Sequence, residues 1–205
     1  NSWRTIIAAC QNKQVPDTWN VGDSCMMAFG KKNYQIDIIG KNHDDYADGS
    51  GKAPLTFQMH TCYATEYKMN NSGSNTGGWA DCLLRTTGGF KIIKSKMPAE
   101  VVAALKAVTK KTTAGGASSA IDTTEDTLFL LSEIEVQGTR THSYAGEGTQ
   151  YAYYQTAANR KKNRAWYLRS PRISSTTCFC RTGWSGEADW SVASEVDGIT
   201  AAWCF

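Results

Sequence analysis

The chain has 205 residues, of which 41% are apolar and 20% charged, so it can bury a substantial core and is neither a disulfide-stabilised miniprotein nor a disordered chain. Its 22 Lys and Arg residues against 19 Asp and Glu give a net charge of +3, which is too small to indicate a nucleic-acid partner. Residues 165–205 hold no lysine but four of the seven tryptophans, namely Trp166, Trp184, Trp190 and Trp203.

The first 60 residues are predicted to form a helix followed by strands. Ser2 can cap a helix whose apolar residues recur with helical spacing, namely Trp3, Ile6, Ile7 and Cys10. Residues 25–29 and 34–39 indicate two strands of a hairpin around the turn at 30–33. A polar loop follows, and residues 55–59 indicate a third strand.

Two amphipathic helices and a loop are predicted for the middle of the chain. Trp79, Cys82 and Leu83 begin a helix that Gly88-Gly89 should stop. Pro98 fits the first turn of a second helix, whose buried face is predicted to be Val101, Val102, Leu105 and Val108. Residues 109–126 lack a long apolar pattern, so we expect a projecting loop or a loose hairpin there.

The last third is predicted to be rich in strands. Leu128–Leu131 indicates a buried strand, and Ser132 with Glu135 matches a capping box that starts a short helix ending near Gly138. Residues 149–159 suggest another short helix, with Tyr151, Tyr154 and Ala158 on one side. Further strands are expected at 166–169, 178–180 and 199–205. This order predicts a single α+β domain, residues 1–205, with a mainly antiparallel sheet and flanking helices.

The seven cysteines cannot all pair within the chain because their number is odd. No C-x-x-C pair occurs, and most of the cysteines lie in apolar surroundings, so we expect buried, reduced thiols, no metal site and no cofactor. No apolar run reaches the roughly 20 residues that span a bilayer, so membrane insertion is not expected.

Short motifs that could indicate catalysis or ion binding have simpler interpretations. His43 lies among carboxylates, but no nucleophile motif accompanies it, and residues 42–45 are typical of a turn with side-chain-to-backbone hydrogen bonds. Residues 49–52 have the composition of a phosphate loop without its spacing. The acidic residues at 122–126 do not follow a calcium-loop pattern and are more typical of a solvated loop.

Several short motifs near the C-terminus resemble those of a known domain family. W-Y-L-R-S-P stands at 166–171, F-C-R at 179–181 and G-I-T-A-A-W-C-F at 198–205, with Gly186, Ala188, Ala193 and Ser194 between them. These landmarks resemble the C-terminal frame of a bacterial and phage domain family that ends in a WWLRSP…FC…G…A…GVxPAF-type pattern. Further landmarks of that family match along nearly the whole chain. The family is similar to C-type-lectin-like proteins of the formylglycine-generating-enzyme type, which include variable proteins of diversity-generating retroelements and phage receptor-binding proteins.

What the resemblance implies is a C-type-lectin-like scaffold that displays a sequence-variable surface, segment 172–197, diversified by a retroelement. The frame that would hold the scaffold is Trp166, Leu168, Arg169, Pro171, Phe179, Gly186, Ala193, Gly198 and Ala202. The residues expected to bind the ligand are Ser174, Thr176, Thr182, Trp184, Glu187, Asp189, Trp190, Ser191, Glu195, Val196 and Asp197. The implied location is a phage virion, in its tail, or the bacterial cell surface.

The surroundings of two tryptophans support this expectation independently. Trp184 and Trp190 stand among Gly, Ser and Asp without apolar alternation, which favours exposure, although both rings could also fold back into the core. Exposed tryptophans surrounded by small residues are typical of binding surfaces. Trp166 and Trp203 lie in apolar strands and are expected in the core.

Three functions therefore compete. The first is a non-catalytic, receptor-binding module for a protein or glycan on a cell surface. The second is a formylglycine-generating-type cysteine oxidase, but Cys178 and Cys180 stand closer together than the cysteine pair of such enzymes. These two side chains project from one strand face and could form a redox or copper pair or simply pack in the core. The third is a calcium-dependent lectin, whose ligand motifs do not occur here.

Overall fold

The structure is a computed structural model that describes all residues, 1–205. Its strands are β1 (Ser24–Phe29), β2 (Lys32–Lys41), β3 (Leu55–Met59), β4 (Val108–Gly115), β5 (Ser118–Asp126), β6 (Trp166–Pro171), β7 (Cys178–Thr182), β8 (Ala188–Val192) and β9 (Ala202–Cys204). Its helices are α1 (Trp3–Gln11), α2 (Gly78–Asp81), α3 (Leu83–Thr86), α4 (Gly89–Lys96), α5 (Ala99–Ala104) and α6 (Glu133–Gln137), with 3-10 helices at Ala152–Gln155 and Ala157–Arg160. Every strand pairing is antiparallel, in sheets ordered β1-β2-β3-β9, β4-β5 and β6-β7-β8. The fold is thus a mixed one of antiparallel sheets with short helices, as the sequence predicts at this level.

The predicted N-terminal elements are confirmed. Ser2 accepts a hydrogen bond from the Thr5 amide at the start of α1, and the four residues of the predicted helical face are buried. The predicted hairpin closes at Gly30-Lys31, where Phe29 pairs with Lys32. The predicted third strand is β3, and it contacts β9 near the C-terminus of the chain. The two ends of the chain therefore share one sheet and one core.

The helices between residues 78 and 108 are shorter than predicted. The first breaks at Cys82, whose backbone is extended, because the Leu83 amide donates to the Asn70 side chain instead of continuing the helix. Gly89 begins α4 rather than ending a helix, and a Cβ there would lie 2.7 Å from the Tyr67 ring. The helix after Pro98 ends at Ala104, so Val108 belongs to β4 and not to a helical face.

Residues 108–126 form the β4–β5 hairpin, not a loose loop. Lys110, Thr112 and Thr113 turn inward on β4 and are buried, which explains the missing apolar alternation. The strands reverse at Gly116-Ala117, where Gly115 pairs with Ser118, and Gly115 has a φ of +71°. A Cβ at Gly115 would collide with the carbonyl oxygen of Asn75, so this hairpin lies tightly against the Asn75 segment.

Two other predictions for the last third are corrected. Leu128–Leu131 is buried but is not a strand, because only Phe129 forms a bridge, to Ala202. Residues 149–159 form short 3-10 turns instead of an α-helix, with Ala158 exposed and Tyr151 buried. The capping box at Ser132 is confirmed, and α6 ends at a left-handed Gly138, as predicted.

One hydrophobic cluster of 45 buried residues extends from Trp3 to Phe205. Trp166 and Trp203 are fully buried in it, as predicted. All seven cysteines are free, and six of them are buried. None of the helices has both the length and the apolar character that a membrane span requires.

Candidate functional site

The most exposed tryptophan of the last 41 residues stands on the β7–β8 hairpin. Trp184 lies in its turn and is 64% exposed. Trp190 lies on β8, opposite Cys180 of β7, and is 38% exposed. Neither ring folds back into the core, so the hairpin presents two large aromatic groups to solvent.

The turn that carries Trp184 is held by hydrogen bonds. The Gly183 amide donates to the Glu187 carbonyl, and the Ser185 amide donates to the Glu187 carboxylate, both at 2.9 Å. Outside the turn, the Gln137 side chain donates to the Gly186 carbonyl at 3.1 Å. The turn is therefore tied both to itself and to α6.

Arg172 lies against the ring of Trp190. Its guanidinium carbon is 4.2 Å from the ring centroid, within the range of a cation–π contact. Arg172 begins the loop at 172–177, which connects β6 to β7, and next to it Ile173 is 38% exposed. The loop and the hairpin turn lie at opposite ends of β7, and we call the region between and including them the tryptophan face, defined by Arg172, Ile173, Trp184, Glu187 and Trp190.

The 172–177 loop is fixed by the segments around it. The Ile173 amide donates to the His142 carbonyl, and the Ala117 amide at the tip of the β4–β5 hairpin donates to the Ser175 carbonyl. Buried Asn75 donates from its side chain to the carbonyls of Ser175 and Cys178. Ser174 has a φ of +54°, which is uncommon for a non-glycine residue and shows how tightly the loop turns.

Two predicted ligand-binding carboxylates lie on the opposite face of this sheet. Side chains alternate along β8, so Asp189 points away from Trp190. Arg181 on β7 donates to Asp189 at 2.7 Å and to Asp197 at 3.1 Å. Burial raises the pKa of Asp197, and the Arg181 charge opposes this shift. Both carboxylates thus have a partner within the chain, and they are not free on the tryptophan face.

The eleven predicted ligand-binding residues do not form one continuous surface. Seven are exposed, namely Ser174, Thr176, Trp184, Glu187, Trp190, Glu195 and Val196. Asp189 is partly buried. Thr182, Ser191 and Asp197 are buried, which corrects the expectation that they face a ligand: their side chains point into the protein.

Val196 lies in a separate groove. This groove, of about 290 Å³, is lined by Val196 together with Tyr67, Leu83 and Ile92. Asp197 continues the chain beneath it, where its amide and carbonyl both bond to the backbone of Tyr67. The end of the predicted display segment therefore contacts the helical side of the molecule.

Arg172 and Ile173 were not among the predicted ligand-binding residues, although both fall within segment 172–197. The signal available in the sequence is their position directly after Pro171, where a strand with buried residues on both faces ends. Their place beside Trp190 depends on the pairing of β6, β7 and β8, which local sequence does not reveal.

A second cluster of polar groups is buried beneath the loop at 42–45. Lys110 donates to Asp44 at 2.6 Å, to Glu135 at 3.1 Å and to the Tyr151 hydroxyl at 2.9 Å, and Arg169 pairs with Glu135. Asp44 is thus not simply part of a turn, contrary to the prediction. We call Asp44, Lys110, Glu135 and Arg169 the buried ion cluster; its two positive and two negative charges balance.

The chemistry open to these groups is limited by burial. Burial raises the pKa of the Cys180 thiol well above its usual range, so little of it is the reactive thiolate at neutral pH. His43 stacks on Tyr151 with ring centroids 3.8 Å apart, and burial lowers its pKa. No group of three or more His, Cys, Asp or Glu side chains lies close enough together to hold a metal ion.

Comparison with known proteins gives a family assignment. Neither a curated protein nor a solved structure matches the chain. A family described as domain of unknown function (DUF6273) matches residues 53–204, which include the whole β7–β8 hairpin and three of the four residues of the buried ion cluster, all but Asp44. The chain belongs to this family.

Proposed function

We propose that this protein is a non-catalytic, receptor-binding protein that recognises a protein or glycan on a cell surface through its tryptophan face. The observation that carries the proposal is the 64% exposure of Trp184 in a turn that hydrogen bonds hold in place. Trp190 on the same hairpin and Ile173 in the 172–177 loop add further exposed apolar area. Tryptophan is enriched among the few residues that supply most of the energy of an interface, and a fixed turn lowers the entropic cost of binding.

The proposed scaffold is C-type-lectin-like, with a display segment that a retroelement diversifies. The burial pattern supports a fixed scaffold with a variable surface, because all nine frame residues are buried while seven of the eleven display positions are exposed. A variable surface needs such positions, since exposed residues can change without cost to the core. The same proposal places the protein on a phage tail or on the bacterial cell surface.

A formylglycine-generating-type cysteine oxidase is the alternative. Cys178 and Cys180 share one face of β7, as such a pair would require. Both are buried, however, and the raised pKa of Cys180 disfavours the thiolate that ligates metal or attacks a substrate. These observations support binding rather than oxidation.

Binding of the purified chain to candidate host bacteria tests the proposal. We expect Trp184→Ala and Trp190→Ala each to weaken binding by about thirtyfold, the effect of losing about 2 kcal/mol at an interface. Met26→Ala is the matched control, because Met26 is 56% exposed on β1, outside the tryptophan face. Unchanged binding in both tryptophan variants would refute the proposal. Copper-dependent oxidation of a cysteine peptide that disappears in Cys180→Ser would favour the oxidase instead.

A further inference from the structure

Arg172 is a cation without an acceptor in the protein. Its side chain makes no hydrogen bond and no ion pair, and its Nε is enclosed and unpaired. The arginines of comparable burial are satisfied: Arg85 bonds to Asp126, and Arg181 bonds to Asp189 and Asp197. The terminal nitrogens Nη1 and Nη2 of Arg172 are also without partners, but unlike Nε they are not enclosed. The aromatic group over which the Arg172 guanidinium lies is the Trp190 ring.

The pairing of the three strands explains how the guanidinium comes to lie there. Pro171 pairs with Phe179, and the Arg172 amide donates to the Cys178 carbonyl, so Arg172 shares a face of the sheet with Cys178. Cys180 and its partner Trp190 lie on the same face, because side chains alternate along β7. Arg172 and Trp190 flank β7 from either side, on strands about 10 Å apart. The long arginine side chain therefore crosses β7 above two small cysteines.

The position of Arg172 is fixed before any ligand arrives. Its loop is held by the bonds to His142, Ala117 and Asn75 described above, and the Ser175 amide donates back to the Arg172 carbonyl. The Trp190 ring restricts the guanidinium plane. A guanidinium held in place presents parallel N–H groups at the spacing of the two oxygens of a carboxylate, which favours bidentate recognition.

We propose that Arg172, held against Trp190, is a carboxylate-binding subsite that recognises an acidic side chain of a protein partner. This inference rests on the proposed function and names the class of ligand. The surroundings favour a protein over an acidic polysaccharide. Ile173, the next residue along the chain, is exposed and apolar. Segment 172–205 has no lysine, and its other arginine, Arg181, is already paired with carboxylates of the chain. A polysaccharide with a charge on every second sugar would find few free cations in this segment, whereas a single carboxylate flanked by aliphatic side chains needs only Arg172.

The test uses the full chain and a capped peptide that carries a single glutamate flanked by leucines, with the corresponding glutamine peptide as control. We expect the acidic peptide to shift the NMR signals of the Trp190 indole N–H and the Arg172 Nε–H saturably, and the glutamine peptide to leave them unchanged. Arg172→Gln should weaken peptide binding at least about tenfold. Arg172→Lys keeps the charge but loses the planar fork, so its affinity for the peptide should lie between those of the wild type and Arg172→Gln. Met26→Ala, which lies outside the tryptophan face, should keep the response.

The outcomes separate this inference from the proposed function. No saturable shift at millimolar acidic peptide overturns the subsite, and so does tighter binding of a glucuronate oligosaccharide, which would assign an acidic glycan instead. If Arg172→Gln binds host cells normally while Trp184→Ala does not, the tryptophan face is supported and the subsite is wrong. If neither tryptophan variant affects cell binding, the proposed function fails, while the peptide titration still decides the chemistry of Arg172.

Discussion

The ammonium group of Lys110 lies 2.6 Å from the carboxylate of Asp44, and both side chains are almost completely buried. Lys110 comes from β4, and Asp44 comes from the loop between β2 and β3. Glu135 at the start of α6 accepts from the same ammonium and pairs with Arg169 on β6. This cluster therefore joins four segments that are distant in sequence, and it supports β6, from which the 172–177 loop departs.

Replacing Lys110 tests the role of this cluster. We expect Lys110→Met to lower the free energy of unfolding by about 3 to 5 kcal/mol, because Asp44 and Glu135 would remain buried without their shared cation. Lys111→Met is the matched control: Lys111 is the exposed neighbour on the same strand, and its replacement should change stability by less than about 0.5 kcal/mol. Urea unfolding followed by circular dichroism measures both. Equal stability of the two variants would contradict this role.

The same cluster predicts a loss of stability in acid. Burial alone would raise the pKa of Asp44, but the Lys110 charge and hydrogen bonds outweigh it and lower that pKa to about 2. The pKa is lower in the folded state than in the unfolded state, so the stabilisation is complete above about pH 4 and is lost as the pH falls towards 2. We expect the stability difference between wild type and Asp44→Asn to shrink by about 2 kcal/mol over this window. Unfolding curves at pH values across this range test it, and a constant difference would contradict the assignment.

The sequence predicts elements well where burial follows an apolar pattern. The hairpin of β1 and β2 and the stripe of α1 are such cases. The β4–β5 hairpin could not be predicted from an apolar pattern, because its inward residues are Lys110, Thr112 and Thr113. Partners elsewhere in the chain satisfy the polar groups of these residues. The prediction of a strand at Leu128–Leu131 is wrong for the opposite reason: its residues are apolar and buried, but no strand pairs with the segment over its length.

The candidate site likewise contains features that the local sequence predicts and features that depend on strand pairing. The exposure of Trp184 is predictable because glycine and serine surround it and nothing local could cover it. The ion pairs of Asp189 and Asp197 with Arg181 are not predictable in this way, since they depend on which residue of β7 stands opposite Asp189. Arg172 meets Trp190 only across three strands. Contacts of this kind require the pairing of the strands, and no short stretch of sequence contains it.

The two classes of tryptophan should respond differently to truncation. Trp203→Ala should cost about 3 to 5 kcal/mol of stability, because its ring is fully buried beside Phe57 and Phe29. Trp184→Ala should change stability by less than about 0.5 kcal/mol, since its ring is mostly in solvent. Thermal unfolding of the two variants makes the comparison. A large loss of stability in Trp184→Ala would mean that the ring supports the fold and is not free to bind a ligand.

Asn75 provides a test of how the tryptophan face is held. Its side chain donates to the carbonyls of Ser175 and Cys178 and accepts from the Gly116 amide, so it joins the 172–177 loop to the β4–β5 hairpin. We expect Asn75→Ala to cost about 3 kcal/mol, because it removes three hydrogen bonds of a buried side chain and leaves the Gly116 amide without its partner.

Hydrogen exchange locates this effect. The Gly116 amide should exchange faster in Asn75→Ala, and so should the Ile173 amide as its loop loosens. Asn71→Ala is the control, because Asn71 is exposed four residues earlier and makes no hydrogen bond through its side chain. Unaltered exchange at Ile173 would show that the remaining hydrogen bonds of the loop, to His142 and Ala117, hold it without Asn75. Faster exchange would mean that Asn75 sets the position of Arg172 against Trp190, so that ligand binding should weaken even though Asn75 itself lies out of reach of any ligand.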